Sequence, residues 1–165
     1  MKKIRKIQVR LKSGGYPILV GKGILSCLGK ELARIGFPKR ILVVTNPDIG
    51  RLYLEKAVRV LEREGFTVSS FAGLSPDESA KSGAGLFAIY GKMLESRLDR
   101  SSGLVALGGG VVGDVAGFAA STFMRGIPWA VVPTTLLAQV DSAIGGKTAI
   151  NLPEGKNLAG TFYQP

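Results

Sequence analysis

The sequence predicts an α/β fold, a Rossmann-like parallel sheet with flanking helices and an N-terminal β-hairpin. Apolar runs without alternation, which are typical of strands buried on both faces, occur at 40–45, 104–107 and 129–132. Segments with helical spacing separate these runs, so strand and helix alternate along the chain. We expect residues 1–165 to form one domain of a nucleotide-binding type.

The first elements follow from local patterns. Residues 4–11 alternate apolar and polar side chains, and a second apolar run at 16–20 follows two glycines, which predicts the β-hairpin. Helical spacing over 25–35, ended by a glycine, predicts a helix before the strand at 40–45. A second helix carries Leu54, Ala57, Val58 and Leu61 on one face and ends at Gly65.

The later elements continue the alternation. A strand is predicted at 66–71, and the run from Ser75 to Glu78 predicts the start of a helix reaching about Leu98, with Ser75 as N-cap. An Ala/Gly-rich helix over about 111–123 joins the last two strands. The inward face of the Ser75–Leu98 helix is predicted to carry Ala80, Ala84, Phe87, Leu94 and Leu98.

Residues 133–165 are rich in glycine and proline and predict loops. Because loops after the carboxyl ends of parallel strands form the ligand crevice, we expect the chemistry of the protein there. The weakly polar stretch 103–124 contains Asp114 and a triple glycine, so we interpret it as a buried strand and helix rather than a membrane span.

Composition excludes several kinds of site. The chain has no His and one Cys, which rules out a His-based triad, a His-ligated zinc and an internal disulfide. No signal peptide is recognised in the sequence, and a reducing, cytoplasmic compartment fits best.

The net charge of +10 resides in the first part of the chain. Residues 1–65 carry 15 Lys and Arg against 5 acids, and residues 66–165 carry 7 of each. Only Lys2, Lys3, Arg5 and Lys6 form a dense cluster, and no aromatic residues are interleaved. A solvated basic face is therefore favoured over a nucleic-acid-binding module.

Glycines 108, 110 and 113 form a G-x-G-x-x-G pattern between a strand and a helix, which favours pyrophosphate binding at the helix N-terminus. The pattern follows a late strand and lacks the acid expected about twenty residues further on, so a tight structural turn is the alternative. Asp114 in the first helical turn fits either a dipole-complementing acid or a ligand contact.

Lys147 follows Gly145-Gly146, but the chain has Asp141 where a P-loop needs glycine, so the NTPase reading fails. Together with Lys156 and the threonines at 134 and 135, Lys147 suggests an anionic, hydroxylated ligand. Two further features have structural alternatives. Arg125 is consistent with a helix C-terminal cap, and Glu78 with Lys81 is consistent with an exposed i,i+3 pair.

Residues 108–165 combine GGGVVGD, FMRG, VPTTLLAQVDS, GGKTAIN and GKNLAGTFYQP, and this combination resembles the 3-dehydroquinate synthases. The resemblance implies an NAD-dependent, phosphate-eliminating lyase that converts 3-deoxy-D-arabino-heptulosonate 7-phosphate to 3-dehydroquinate. That reaction belongs to the shikimate pathway, which leads to chorismate and the aromatic amino acids. It also implies a cytoplasmic homodimer without nucleic-acid or membrane partners.

The resemblance also implies a role for each matched position. Asn46 stands where the family often has an acid, and an amide there can still hydrogen-bond a ribose hydroxyl. The implied NAD site comprises Asn46, Asp48, Glu78, Lys81, Gly109, Gly110, Val111, Gly113, Asp114, Thr134, Thr135 and Lys156. The implied substrate contacts are Asp141, Lys147 and Asn157, with Arg125 reaching the substrate phosphate of the neighbouring subunit.

One departure concerns the metal. In the family, a divalent metal such as zinc or cobalt is held by one Glu and two His of a helical C-terminal domain, and this chain has no His. We therefore expect an NAD-binding N-terminal domain without metal ligands, inactive by itself, with residues 133–165 leading toward the absent domain. A related sugar-phosphate cyclase or a metal-dependent polyol dehydrogenase is the alternative.

Overall fold

The computed structural model describes residues 4–12 and 14–165, so the predicted basic residues Lys2 and Lys3 lie outside the described part. A four-stranded parallel sheet in the order β4-β3-β5-β6 forms the centre, as predicted. The strands are β1 Arg5–Leu11, β2 Gly14–Val20, β3 Arg40–Val44, β4 Thr67–Phe71, β5 Gly103–Gly108, β6 Trp129–Pro133, β7 Lys147–Leu152 and β8 Gly155–Phe162. The helices are α1 Leu28–Arg34, α2 Pro47–Ile49, α3 Glu55–Glu62, α4 Gly83–Glu95 and α5 Gly110–Thr122.

Helices cover both faces of the sheet because its central strands are apolar on both sides. In β3, Leu42 and Val44 point into the core beneath α4 and α5, while Ile41 and Val43 point into the core beneath α1 and α3. All six residues of β5 are buried. The prediction from non-alternating apolar runs is therefore confirmed.

The N-terminal hairpin is also confirmed, with β1 and β2 paired antiparallel from Arg5 opposite Val20 to Leu11 opposite Gly14. Short irregular turns precede two of the predicted helices. A 3-10 turn at Ile24–Cys27 leads into α1, and a wider π turn at Gly50–Leu54 joins α2 to α3. Among residues 4–12 and 14–165, none of the helices combines the length and apolarity of a membrane span.

The helix predicted from Ser75 to Leu98 is wrong in its start and in its buried face. A 3-10 turn covers Glu78–Ala80, and Lys81, with ψ of 64°, ends it. The helix α4 begins afterwards, where the Ser82 hydroxyl accepts a hydrogen bond from the backbone N–H of Gly85. This break shifts the helical phase, so that Leu86, Ile89 and Met93 are buried while Ala84, Phe87 and Leu94 are exposed; Ala80 and Leu98 are buried outside the helix.

The prediction of loops over 133–165 is also wrong in its second half. Strands β7 and β8 form an antiparallel hairpin that packs on α5. Thr148 and Ile150 alternate inward from β7, and Thr148 lies against Gly117 of α5. The many glycines and prolines favoured a loop prediction here, whereas the strand pair places residues 147–162 against α5.

Candidate functional site

The candidate site begins at the carboxyl edge of the parallel sheet. Asn46 follows β3, Gly109 follows β5 and Thr134 follows β6, so the topology places all three at one edge. The Asn46 side chain is buried and caps α2, where its amide oxygen accepts a hydrogen bond of 2.9 Å from the Ile49 N–H. Asp48 is exposed and pairs with Arg51.

A cradle for an anion lies where β5 turns into α5. Gly109 provides no side-chain cap, so the first N–H groups of this 13-residue helix lack a capping partner. A Cβ at Gly109 would lie 3.1 Å from Thr135 Cγ2, and one at Gly110 would lie 3.1 Å from Ser142 Oγ. Only glycines leave this space open, and a helix N-terminus favours a phosphate there.

Two buried hydroxyls beside this cradle lack partners. Among the described residues, Thr134 Oγ1 and Ser142 Oγ are both buried without a hydrogen bond. Sequence reasoning missed Ser142, because only its contact with Gly110 connects it to the cradle. The N–H of Gly113, unlike the N–H groups at the start of α5, already donates a hydrogen bond to the Gly109 carbonyl at 3.0 Å. The cradle is therefore built from Gly109, Gly110 and Val111 with hydroxyls available around it.

A cluster of charged and amide side chains around the buried Lys81 lies one helical turn further along. The side chain of Lys81 is only 5% exposed, and its Nζ donates to Asp114 Oδ2 at 2.7 Å and to Asn157 Oδ1. Glu78 Oε1 lies 3.5 Å from the same Nζ. The alternative of an exposed Glu78–Lys81 pair is thus wrong, because the kink at Lys81 turns its side chain inward.

Asn151 of β7 completes this cluster and was missed as a site residue, although it lies in the GGKTAIN motif. Its Nδ2 donates to Glu78 Oε1 at 3.0 Å, and its Oδ1 accepts from the Asn157 N–H at 2.8 Å. The GGKTAIN motif was the sequence signal that could have identified Asn151. Its contact with Glu78, which is 73 residues away in the sequence, is formed only because the hairpin packs where it does.

The two acids of this cluster have pKa values displaced in opposite directions. Burial raises the pKa of Asp114 above its ordinary value, although Lys81 partly offsets this effect and the more distant Lys147 acts in the same sense as Lys81. The hydrogen bond from Asn151 is the main cause that lowers the pKa of Glu78. Asp114 thus retains its proton to a higher pH than an ordinary aspartic acid.

An NMR titration of the side-chain carboxyl carbons should show these shifts directly. We expect the Asp114 midpoint above, and the Glu78 midpoint below, that of the same residue type in the unfolded chain. Stability from Glu78 is then lost as pH falls through its folded pKa, whereas ionisation of Asp114 costs stability as pH rises from its unfolded to its folded pKa. Midpoints equal to those of the urea-unfolded chain would contradict the buried network.

Lys147 and Lys156 lie on the exposed side of the cluster. Lys147 Nζ donates to Asp141 Oδ1 at 2.6 Å, and both side chains are about half exposed. Lys156 is exposed, and its charge contributes to the lowered pKa of Glu78. The structure thus brings Lys147 near Asp114 and Lys156 near Glu78, where both lysines offer cations to an anionic ligand.

Arg125 is a predicted site residue that lies apart from both this cluster and the glycine cradle. It follows α5 in an exposed turn, with a left-handed φ of 70°. The 13-residue helix α5 spans about 20 Å from the glycine cradle to this turn. Within one chain, Arg125 therefore lies at the opposite end of α5 from Gly110.

The described residues offer no metal centre. Residues 4–12 and 14–165 contain no group of three or more His, Cys, Asp or Glu side chains that could hold a metal ion. The buried carboxylate Asp114 is already held by Lys81. These residues therefore do not fit a divalent metal, whereas the glycine cradle and its unpartnered hydroxyls fit a phosphate group.

Comparison with known proteins places these features in context. A family model described as 3-dehydroquinate synthase N-terminal matches residues 72–165. The 3-dehydroquinate synthase of Syntrophotalea carbinolica is 49% identical over 163 residues, which cover 99% of this chain and 45% of that protein. The chain thus spans less than half the length of this relative.

Solved structures show the same fold. A 2-deoxy-scyllo-inosose synthase complexed with carbaglucose-6-phosphate, NAD+ and Co2+ superposes with a TM-score of 0.85 at 27% identity, covering 98% of this chain and 44% of that one. A 2-epi-5-epi-valiolone synthase from Streptomyces hygroscopicus, with NAD+ and Zn2+ bound, gives a TM-score of 0.72 at 31% identity, covering 80% and 37%.

Proposed function

The chain belongs to the 3-dehydroquinate synthase family, and we propose that it provides the NAD-binding domain of an enzyme with that activity. The reaction would convert 3-deoxy-D-arabino-heptulosonate 7-phosphate to 3-dehydroquinate and phosphate. The observation that carries this proposal is the uncapped glycine turn of α5, which lies beside the hydrogen-bonded cluster of Asp114 and Asn157 around the buried Lys81. Such a turn suits a pyrophosphate, and the cluster suits a hydroxyl-rich ligand.

The cofactor side of the proposed site comprises the cradle and the groups around it. The N–H groups of Gly110 and Val111 would donate to the pyrophosphate, and the hydroxyls of Thr134 and Ser142 are free to do the same. Held there, NAD would supply the hydride-transfer chemistry of the reaction. The remaining cofactor contacts are proposed for Asn46, Asp48, Glu78, Lys81, Gly109, Gly113, Asp114, Thr135 and Lys156.

The substrate side is proposed at Lys147, Asp141 and Asn157. The Lys147 ammonium is half exposed and is held by Asp141, so it can meet a sugar-phosphate anion at the mouth of the site. Asn157 presents an amide next to Lys81, which leaves an amide N–H to hydrogen-bond a substrate hydroxyl. The Lys147 ammonium and the Asn157 amide together would orient a phosphorylated polyol.

We expect the described residues to be inactive alone. The two similar solved structures contain Co2+ or Zn2+. The described residues of this chain hold no set of ligands for such an ion. We propose that the metal ligands lie in the part of the relatives' length that this chain does not span. We also propose a homodimer, in which the exposed Arg125, at the far end of α5 from the glycine cradle, would reach the substrate phosphate of the neighbouring subunit. A cytoplasmic location, without nucleic-acid or membrane partners, completes the proposal.

Calorimetric titration of the chain with NAD tests the proposal, with Gly110→Ala and Gly91→Ala as a matched pair. A Cβ at Gly110 would occupy the cradle 3.1 Å from Ser142 Oγ, whereas one at Gly91 would meet nothing within 4 Å. We expect Gly110→Ala to weaken NAD binding at least about tenfold, or about 1.4 kcal/mol. Gly91→Ala should bind as the parent does.

Two results would count against the proposal. Absence of heat at millimolar NAD would show that the cradle does not bind the cofactor. Equal affinity of Gly110→Ala and Gly91→Ala would show that NAD binds elsewhere on the chain.

A further inference from the structure

Asn151 connects two regions of the chain that contribute to the proposed site, residues 78–81 and the β7–β8 hairpin. Its side chain donates to Glu78 with Nδ2 and accepts from the Asn157 N–H with Oδ1, and its own backbone N–H donates to the Lys81 carbonyl at 2.8 Å. The three partners lie on the 3-10 turn, at the kink that follows it and on β8. Asn151 is the described residue that bonds to all three.

The backbone of Asn157 explains what its contact with Asn151 does. Its φ of 58° is left-handed, a conformation that asparagine adopts more readily than most residues other than glycine and that turns its N–H toward β7. The bond from its N–H to Asn151 Oδ1 ties this conformation to β7, and Lys81 Nζ holds its side-chain oxygen from the other side. The direction in which Asn157 presents its amide therefore depends on Asn151.

We propose that Asn151 is a positioning residue that holds the cofactor side and the substrate side of the site as one hydrogen-bonded unit. It does so by donating to Glu78 while accepting from the left-handed Asn157. The roles of those two residues rest on the proposed function, but the hydrogen bonds do not. The ligand whose binding this unit would support on the cofactor side is a dinucleotide.

An amide is required because one side chain must donate and accept at the same time. An aspartate at 151 retains the acceptor for the Asn157 N–H, but it cannot donate to Glu78 and would repel its carboxylate. An alanine loses both bonds. The variants Asn151→Asp and Asn151→Ala therefore separate the two halves of the proposed role.

Two measurements by NMR on the ligand-free chain test this separation. The hydrogen-exchange rate of the Asn157 amide should rise about fivefold to tenfold in Asn151→Ala and stay near the parent rate in Asn151→Asp. The titration midpoint of Glu78 should rise in both variants, and more in Asn151→Asp, because its hydrogen bond is replaced by a like charge.

Thr148→Val is the matched control on the same strand. Thr148 Oγ1 bonds to Thr161 within the hairpin, so its loss weakens β7–β8 without touching Asn151. This variant should leave the Glu78 midpoint unchanged, whereas a general weakening of the hairpin would move the midpoint in all three variants and overturn the proposal. A Glu78 midpoint and an Asn157 exchange rate that stay at the parent values in Asn151→Ala would also overturn it.

NAD titration separates this inference from the proposed function. If the parent chain binds NAD, both Asn151 variants should weaken binding roughly tenfold, and Thr148→Val should not. If the parent does not bind NAD, the proposed function fails, while the exchange and titration results still decide the role of Asn151. Unchanged NAD affinity in both Asn151 variants of a binding parent would overturn the positioning role.

Discussion

Replacing Asp114 with alanine should destabilise the chain by about 3 kcal/mol, because the buried Lys81 then keeps as a carboxylate partner only Glu78, which is more exposed and lies 3.5 Å away. Lys81 is 5% exposed and lies 2.7 Å from Asp114, so water cannot replace the lost contact as it would at the surface. Urea unfolding followed by circular dichroism measures the change. The matched control is Glu55→Ala, which breaks the exposed pair with Arg59 and should change stability by less than about 1 kcal/mol.

The double variant Lys81→Met with Asp114→Ala tests whether the buried charge of Lys81 causes the loss of stability in Asp114→Ala. Burial raises the pKa of Asp114 despite Lys81, which indicates that the attraction does not fully offset the desolvation of its carboxylate. Removing both charges should therefore recover much of the stability that Asp114→Ala loses. A double variant as unstable as the sum of the two single variants would show that the pair is not energetically coupled.

Gly117→Ala should cost about 1–3 kcal/mol, because a methyl group there overpacks the contact between α5 and the hairpin. Its Cβ would lie 2.5 Å from Thr148 Cγ2 and 2.7 Å from Trp129 Cη2, both of which are confined in the core. Since β7 carries Asn151, displacement of the hairpin should also weaken NAD binding. Unfolding and NAD titration of the same variant measure the two effects.

Gly91→Ala provides the comparison for this substitution. Gly91 also lies within a helix, but nothing is within 4 Å of its ideal Cβ. Alanine there should stabilise the chain by about 0.5–1 kcal/mol, since glycine is the poorer helix former. A Gly117→Ala chain as stable as Gly91→Ala would contradict the close packing of α5 against β7.

Sequence patterns were sufficient to predict those elements whose structure depends on neighbouring residues in the chain. Non-alternating apolar runs predicted the parallel strands, and the glycine pattern at 108–113 predicted the turn into α5, because a buried strand and an uncapped helix start leave local signatures. The phase of α4 was not predictable in this way. It depends on the kink at the buried Lys81, whose side chain bonds to Asp114 and Asn157, far away in the sequence.

The sequence by itself determined the fold class, the family and the glycine cradle, since each depends on residues that are close together in the chain. Only the tertiary structure decided that the β7–β8 hairpin packs on α5 and delivers Asn151 to Glu78, across 73 residues. It also decided that Lys81 is buried rather than exposed. Hydrogen bonds and ion pairs between distant segments leave no periodic pattern, because their partners are brought together by the packing of the whole core.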